Sequence, residues 1–236
     1  MKKITLLTAF LCLVYCGNAQ VNMGARLGMN LGLFEMQHKD LGTYDVVPRP
    51  NVLLGLDIDV PFSMVFSFRT GISMVQKAIE VDLARGVQNV SNAEKWSALY
   101  RMNYLELPLF LAARAETDFG NFYLSAGPTF SLGVGGDVSV DTISSIPDAQ
   151  GKKPQGSYPS QKLKWDGKHM PTLMENYYHF KRFDFGLGAA FTYQLPRTGI
   201  AITVNYNKGF RNIATNPDNT IKTSYVGVSV GFFMGG

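Results

Sequence analysis

Hydrophobic and polar residues alternate along most of this chain with a period of two. The cleanest example is VNMGARLGMNLGLF, residues 21–34. Val21, Met23, Ala25, Leu27, Met29, Leu31 and Leu33 fall on one face. Asn22, Gly24, Arg26, Gly28, Asn30 and Gly32 fall on the other. Such a split predicts a strand with one apolar and one polar side. Seven further runs follow, at about 51–62, 64–79, 99–114, 120–133, 181–194, 199–210 and 224–234. In the second, Leu54, Leu56 and Ile58 oppose Gly55, Asp57 and Asp59. In the third, Phe66, Phe68, Ile72 and Met74 oppose Ser67, Arg69, Gly71 and Ser73.

The links between runs alternate in length. Three are short, around 61–63, 115–119 and 195–198. Four are long, about 35–50, 80–98, 134–180 and 211–223. Short turns at one end and long loops at the other are the pattern of an outer-membrane barrel, and an even strand number places both chain ends on the periplasmic side. The predicted fold is all-β, an eight-stranded antiparallel up-and-down transmembrane β-barrel. A soluble lipocalin-type barrel would require the reverse, apolar residues inside and polar ones outside.

The run YLELPLFLAAR, residues 104–114, tests this reading. Leu105, Leu107, Leu109 and Leu111 share a face, yet Glu106 and Pro108 interrupt the other. In a membrane barrel the leucines face acyl chains and Glu106 faces the lumen. Pro108 lacks a ladder donor and a closed barrel has no edge to hide it, so a bulge or a locally missing bond is expected there.

Residues 1–19 form a separate unit. Lys2 and Lys3 precede an apolar stretch from Ile4 to Tyr15, and Gly17-Asn18-Ala19 supplies small residues for cleavage before Gln20. This reads as a secretory signal peptide, leaving residues 20–236 as the barrel domain. Both cysteines, Cys12 and Cys16, lie in the removed piece, so the mature chain is expected to have no disulfide or thiolate metal site. Tyr15 is too bulky to precede a lipidated Cys16. Loss of Lys2 and Lys3 lowers the formal charge from +4 to +2, which gives no support to a nucleic-acid partner. The 24 glycines and 12% aromatic content fit a chain of closely packed strands.

With these motifs in order, the chain resembles the PorT-like, "porin family" outer-membrane β-barrel domains of Gram-negative bacteria. The matching segments are GARLGMNLG (24–32), YLELPLFLAAR (104–114), AGPTFSLGVGG (126–136), FDFGLGAAFTYQLP (183–196), VNYNKGFRNI (204–213) and VGVSVGFFM (226–234). The resemblance implies an eight-stranded barrel exported to the outer membrane, with a largely undefined molecular role. The chain departs from the pattern at its end, where Met234-Gly235-Gly236 follow Phe233, and in its long third external loop.

Eight strands enclose a space that side chains can fill. Arg26, Asp57, Asp59, Arg69, Glu106 and Asp184 are expected to form a lumen cluster in the inner half, its two arginines among the carboxylates. Its expected role is to plug the lumen and fix register; the alternative is an ion or proton path through a small pore. His38, His169 and His179 fall in predicted external loops and are expected to be solvated. The alternative, a lipid-A-modifying enzyme, would use them with nearby Asp40 or Glu175, but no serine spacing accompanies them. No metal-ligand spacing and no cofactor motif is present, and no catalytic role is expected.

The third loop carries Lys152, Lys153, Lys162, Lys164 and Lys168 against Asp166. It is read as a solvated loop; the sharper reading is a surface for anionic lipopolysaccharide or a protein partner. Trp165, Tyr177 and Tyr178 in the same loop could anchor at the membrane interface. The functional expectation is a structural or interaction role through the external loops, with an accessory part in protein secretion as a rival.

Overall fold

A computed structural model describes residues 21–40, 42–82, 94–144, 155–169 and 178–234. The expected signal peptide therefore lies outside the described residues. Eight long strands form the body: β1 (Asn22–Gly32), β2 (Val46–Pro61), β3 (Phe66–Asp82), β4 (Glu94–Thr117), β5 (Gly120–Ser144), β6 (Phe183–Gln194), β7 (Ile200–Gly209) and β8 (Ser224–Met234). Each pairs antiparallel with the next, and β8 returns to β1 through a register running from Met23↔Met234 to Gly32↔Tyr225. The ring is closed and has no free edge at membrane depth. Among the described residues no helix is long and apolar enough to cross a membrane; strands make the crossing.

The alternation resolves as predicted. Met29, Leu56, Ile72, Leu105, Leu107, Leu111, Leu124, Phe185 and Val230 point outward and are exposed. Glu106, Asp59, Asp184, Ser73, Ser131 and Asn207 point inward and are buried. Two aromatic groups mark the boundaries of the apolar band. At the short-turn end Phe62 stacks on Phe66 at 6.4 Å, and Phe122 on Tyr193 at 5.0 Å. At the other end Phe130 meets Phe183 at 6.3 Å, and Phe185 meets Phe210 at 6.2 Å. On β4 the outward apolar face runs from Leu105 to Ala115. At about 3.3 Å per residue and a tilt of about 40°, that rises about 25 Å, the height of an outer-membrane apolar band.

Four strands do not stop at the membrane. Residues 46–50, 80–82, 94–98 and 134–144 were expected in loops but extend β2 to β5. Beyond the boundary the polarity of the alternation inverts, because water replaces lipid outside. On β4 the inward positions change from Glu106 to Tyr104, Met102, Tyr100 and Ala98, all buried, while the outward ones change from leucines to Asn103 and Arg101. On β5 the switch needs a bulge. Tyr104 pairs with Gly133 but Asn103 with Gly135, so Val134 is extra. Gly136 follows at φ 139°, in the region glycine favours. The bulge moves Val138 to the inside.

Around Pro108 the register is kept but rungs are lost. In the β3–β4 ladder, Thr70↔Leu109 and Ser73↔Glu106 are paired, with Gly71 and Ile72 skipped. Thr70 Oγ1 donates to the Pro108 carbonyl at 2.9 Å, partly replacing the missing backbone contact. The expected local gap is thus present, without a bulge at that residue.

Short strands complete the outer end. Glu35–His38 lies between Asn219–Lys222 and Gly42–Thr43 in a three-stranded sheet. Gln155–Ser157 and Gln161–Lys162 pair with the outer part of β5. Above the membrane these elements enclose an apolar core of Phe34, Ile79, Val81, Tyr100, Phe180 and Ile213 with their neighbours.

Candidate functional site: lumen and outer cap

The lumen holds two ionic nodes at different heights. In the inner node, Asp59 and Arg69 oppose each other directly across β2 and β3, and the guanidinium donates to the carboxylate at 3.0 Å. Arg69 also donates to Thr192 Oγ1 at 3.3 Å and lies 3.9 Å from the centre of the Tyr123 ring. Arg26 on β1 pairs with Asp57 at 3.1 Å and donates to Ser73 Oγ at 2.9 Å. Arg26 lies opposite Gly55. A Cβ there would sit 2.7 Å from Arg26 Nε, so the glycine makes room for the guanidinium. A cavity of about 40 Å³ lies beside this node. A second of about 20 Å³ lies above it; both are lined in part by Arg26, Pro108 and Phe110. Each is large enough for one to a few waters, far below a conduit.

The outer node centres on Lys77. Its ammonium lies 2.8 Å from Glu106 Oε1, with the two side chains 1% and 4% exposed. Glu106 also accepts from Ser131 Oγ at 3.0 Å and from Tyr225 OH at 2.8 Å. Lys77 contacts Thr223 Oγ1 at 3.3 Å, and that hydroxyl donates to Asp184 at 2.9 Å. Asp184 accepts a further bond from the Arg211 backbone N–H at 3.2 Å. Tyr104 and Tyr225 put their rings 4.6 and 5.0 Å from the ammonium. Ser131 stands opposite both Glu106 and Asp184 on its neighbouring strands, so the two carboxylates share one level. Gly209 leaves the space that Asp184 fills; a Cβ there would fall 2.2 Å from Asp184 Oδ2.

All six predicted lumen residues therefore face inward, but they do not form one inner cluster with arginine partners. Arg26, Asp57, Asp59 and Arg69 do so. Glu106 and Asp184 sit higher and gather around a lysine instead. Lys77, Thr223 and Tyr225 were not anticipated. Lys77 was within reach of the pattern: carrying the inward series Ser67, Arg69, Gly71 and Ser73 two steps further arrives at it.

Above the outer node a folded cap closes the mouth. Trp165 packs against Tyr104 at 5.2 Å, lies over Gly133, and donates its indole N–H to the Gly135 carbonyl at 3.1 Å. Phe180 meets Tyr100 edge-on at 6.1 Å. Trp165 is thus part of the closure rather than an interface anchor, and half-buried Tyr178 packs against the same core. Leu163 is buried there too.

His179, expected to be solvated, is buried, and its Nδ1 lies 2.8 Å from Asp166 Oδ1. The cause is the pairing of residues 178–180 with Lys164, which draws the segment under the cap. Desolvation, the largest single effect, pushes the Asp166 carboxyl up, but the hydrogen bonds from His179 and the Lys168 N–H together outweigh it and hold the group below its usual range. His38 Nδ1 accepts from the Asp40 N–H at 3.1 Å, and His169 is exposed. Lys162, Lys164 and Lys168 are exposed, Lys164 lying 5.1 Å from the Tyr178 ring. Lys152, Lys153, Glu175 and Tyr177 lie outside the described residues.

A closed antiparallel ring, greasy outside and ionic inside, with aromatic belts at two levels, defines an outer-membrane β-barrel. The chain belongs to the outer membrane protein beta-barrel domain family, which it matches over residues 18–215. Among solved structures it is similar to Ail, the attachment invasion locus protein of Yersinia pestis, at 11% identity, 90% and 99% coverage of the two chains and a TM-score of 0.37. It is also similar to neisserial surface protein A, at 9% identity, 92% and 99% coverage and a TM-score of 0.35. A third likeness is to the outer membrane protease OmpT of Escherichia coli, at 9% identity, 92% and 97% coverage and a TM-score of 0.38. A comparison with curated proteins finds no match.

Proposed function

We propose that this protein is a closed, non-conducting outer-membrane barrel that acts through its outer cap, as a structural element or a docking surface for another molecule. One observation carries the reading: the lumen is filled in successive layers. The inner ionic node, the Lys77 node, the Tyr104 and Met102 layer and the Trp165 and Phe180 layer follow one another along the axis. A small pore would need a continuous wet path, whereas the cavities between layers hold only about 40 and 20 Å³. The test is a planar-bilayer recording on the refolded full chain. The expected trace stays at baseline, and reproducible channel steps would overturn the proposal.

The order of motifs supports a second reading, since it resembles the PorT-like domains: an accessory part in protein export, with the same cap as the contact surface. Deleting the gene and assaying secreted cargo separates the two, because unchanged export excludes this role. A lipid-A-modifying activity has less support. His179 Nε2 is buried and has no hydrogen-bond partner among the described residues, so it meets neither a nucleophile nor the lipid surface.

A further inference from the structure

Most cations on the strands have a carboxylate partner: Arg26 with Asp57, Arg49 with Glu80, Arg69 with Asp59, Lys77 with Glu106, Arg101 with Asp137, Arg114 with Glu116 and Lys208 with Glu35. Three cations on the outer rim of β6 and β7 are held differently. Arg182 Nε donates to the Gly133 carbonyl at 3.2 Å, Arg211 to the Phe183 carbonyl at 3.3 Å, and Lys181 to the Asn212 carbonyl at 3.4 Å. The adjacent acid, Asp184, is turned into the lumen and buried, and meets Arg211 only through the backbone N–H.

These anchors tie both arginine side chains to adjoining strands at the outer rim. Leu132 pairs with Phe183 across β5 and β6. The two carbonyls that hold the guanidinium groups lie on those neighbouring strands, one residue apart in register, so about 5–7 Å separates them. Arg182 and Arg211 are exposed, and each has guanidinium donors left over after its single anchoring bond. Directly below them the outward side chains are Phe130, Leu132, Phe183, Phe185 and Phe210, all exposed to the acyl region. Arg211 lies 5.9 Å from the Phe183 ring, spanning the boundary between belt and headgroups.

We infer that Arg182 and Arg211, flanked by Lys181, form a binding site for the phosphate of an anionic lipid headgroup in the outer leaflet, of lipid A type, with its acyl chains lying on the Phe130–Phe183 face. Two planar forks anchored on neighbouring strands, each with N–H donors left over, suit a phosphate, and the belt beneath selects a phosphate that carries hydrocarbon over a free one. The site differs from the exposed lysines at 162, 164 and 168, which stand on the cap with no apolar belt beneath them. It rests on the outer-membrane reading but not on the lumen being closed.

The test uses the full chain refolded in nanodiscs of neutral phospholipid doped with bisphosphorylated lipid A, with retained lipid counted by native mass spectrometry after detergent transfer. Wild type is expected to retain lipid A and to retain the dephosphorylated form about tenfold less. Arg182→Gln with Arg211→Gln is expected to lose about tenfold in retention, while Lys162→Gln with Lys164→Gln and Lys168→Gln loses none. Inorganic phosphate in excess is expected to displace nothing. Equal retention of the two lipid forms by wild type overturns the site without any variant having to fold. So does loss in the cap triple variant in place of the rim double, or displacement by free phosphate. A heat-shifted, folded band for wild type keeps the barrel itself standing if the lipid selectivity fails.

Discussion

The ion pair between Lys77 and Glu106 is the feature whose removal should be felt most. Lys77→Met keeps the length and most of the volume of the side chain but deletes the cation that pairs with Glu106 at the outer node. Glu106 would keep its bonds from Ser131 and Tyr225, and Asp184 its bonds from Thr223 and the Arg211 N–H. Those bonds exist before and after, so they cancel in the difference. What remains is a carboxylate 4% exposed that has lost its ion-pair partner. Breaking a buried pair from one side costs about 3–5 kcal/mol. Adding Glu106→Gln removes the stranded charge; the amide oxygen can still accept from one of the two hydroxyls, Ser131 or Tyr225, and the other hydroxyl can turn to accept from the amide N–H. The double variant should then lose only about 1–2 kcal/mol, a coupling of about 2 kcal/mol or more. Urea unfolding in lipid vesicles, followed by the fluorescence of Trp165 above the node, reads both. If the single variant loses less than about 1 kcal/mol, or the double loses as much as the single, the node is hydrated or differently paired and the layered-lumen argument fails.

Three other outcomes rest on the same packing. Gly209→Ala places a methyl 2.2 Å from Asp184 Oδ2 and should destabilise by about 2 kcal/mol or more in the same titration; a neutral result would mean Asp184 is free to move. Leu107→Arg puts a charge on the lipid face at mid-band and should cost about 2–4 kcal/mol, whereas a cost near zero would place that face against water. The third concerns acid and the cap. Hydrogen bonds acting together hold the Asp166 carboxyl below its ordinary value, against desolvation, the largest single effect on it. A depressed folded value gives a contribution that is complete above the unfolded carboxylate value of about 3.9 and vanishes as pH falls through the folded value. Trp165 fluorescence should thus separate wild type from Asp166→Asn at pH 5 and above and converge below about pH 4. Convergence near pH 6 would assign the change to another group.

Much of this molecule can be read from period two alone. Because adjacent strand residues point to opposite sides, a sequence such as Leu105-Glu106-Leu107 fixes which side is lipid and which is lumen as soon as the loops indicate a barrel. The same rule assigned every charged residue of the lumen set to the inside, and loop lengths sorted the two ends. Alternation carries no information about height, however. Whether Asp184 meets an arginine or Lys77 depends on the register between β3, β4, β5 and β6 and on the reach of Thr223, contributed from 39 residues further along. The outer third of β2 to β5 was missed for a related reason. There water replaces lipid outside, the alternation reverses sign, and a bulge at Val134 shifts its phase, so the local pattern reads as loop. Trp165 and His179 are polar-loop residues by sequence and buried ones by structure, because chain returning over the mouth shields them. The sequence by itself set which face each strand residue takes, a local matter of backbone geometry and solvent. Only the closed ring and its returning loops set which charges meet and what is sealed, because those depend on stagger and distant segments that no local pattern records.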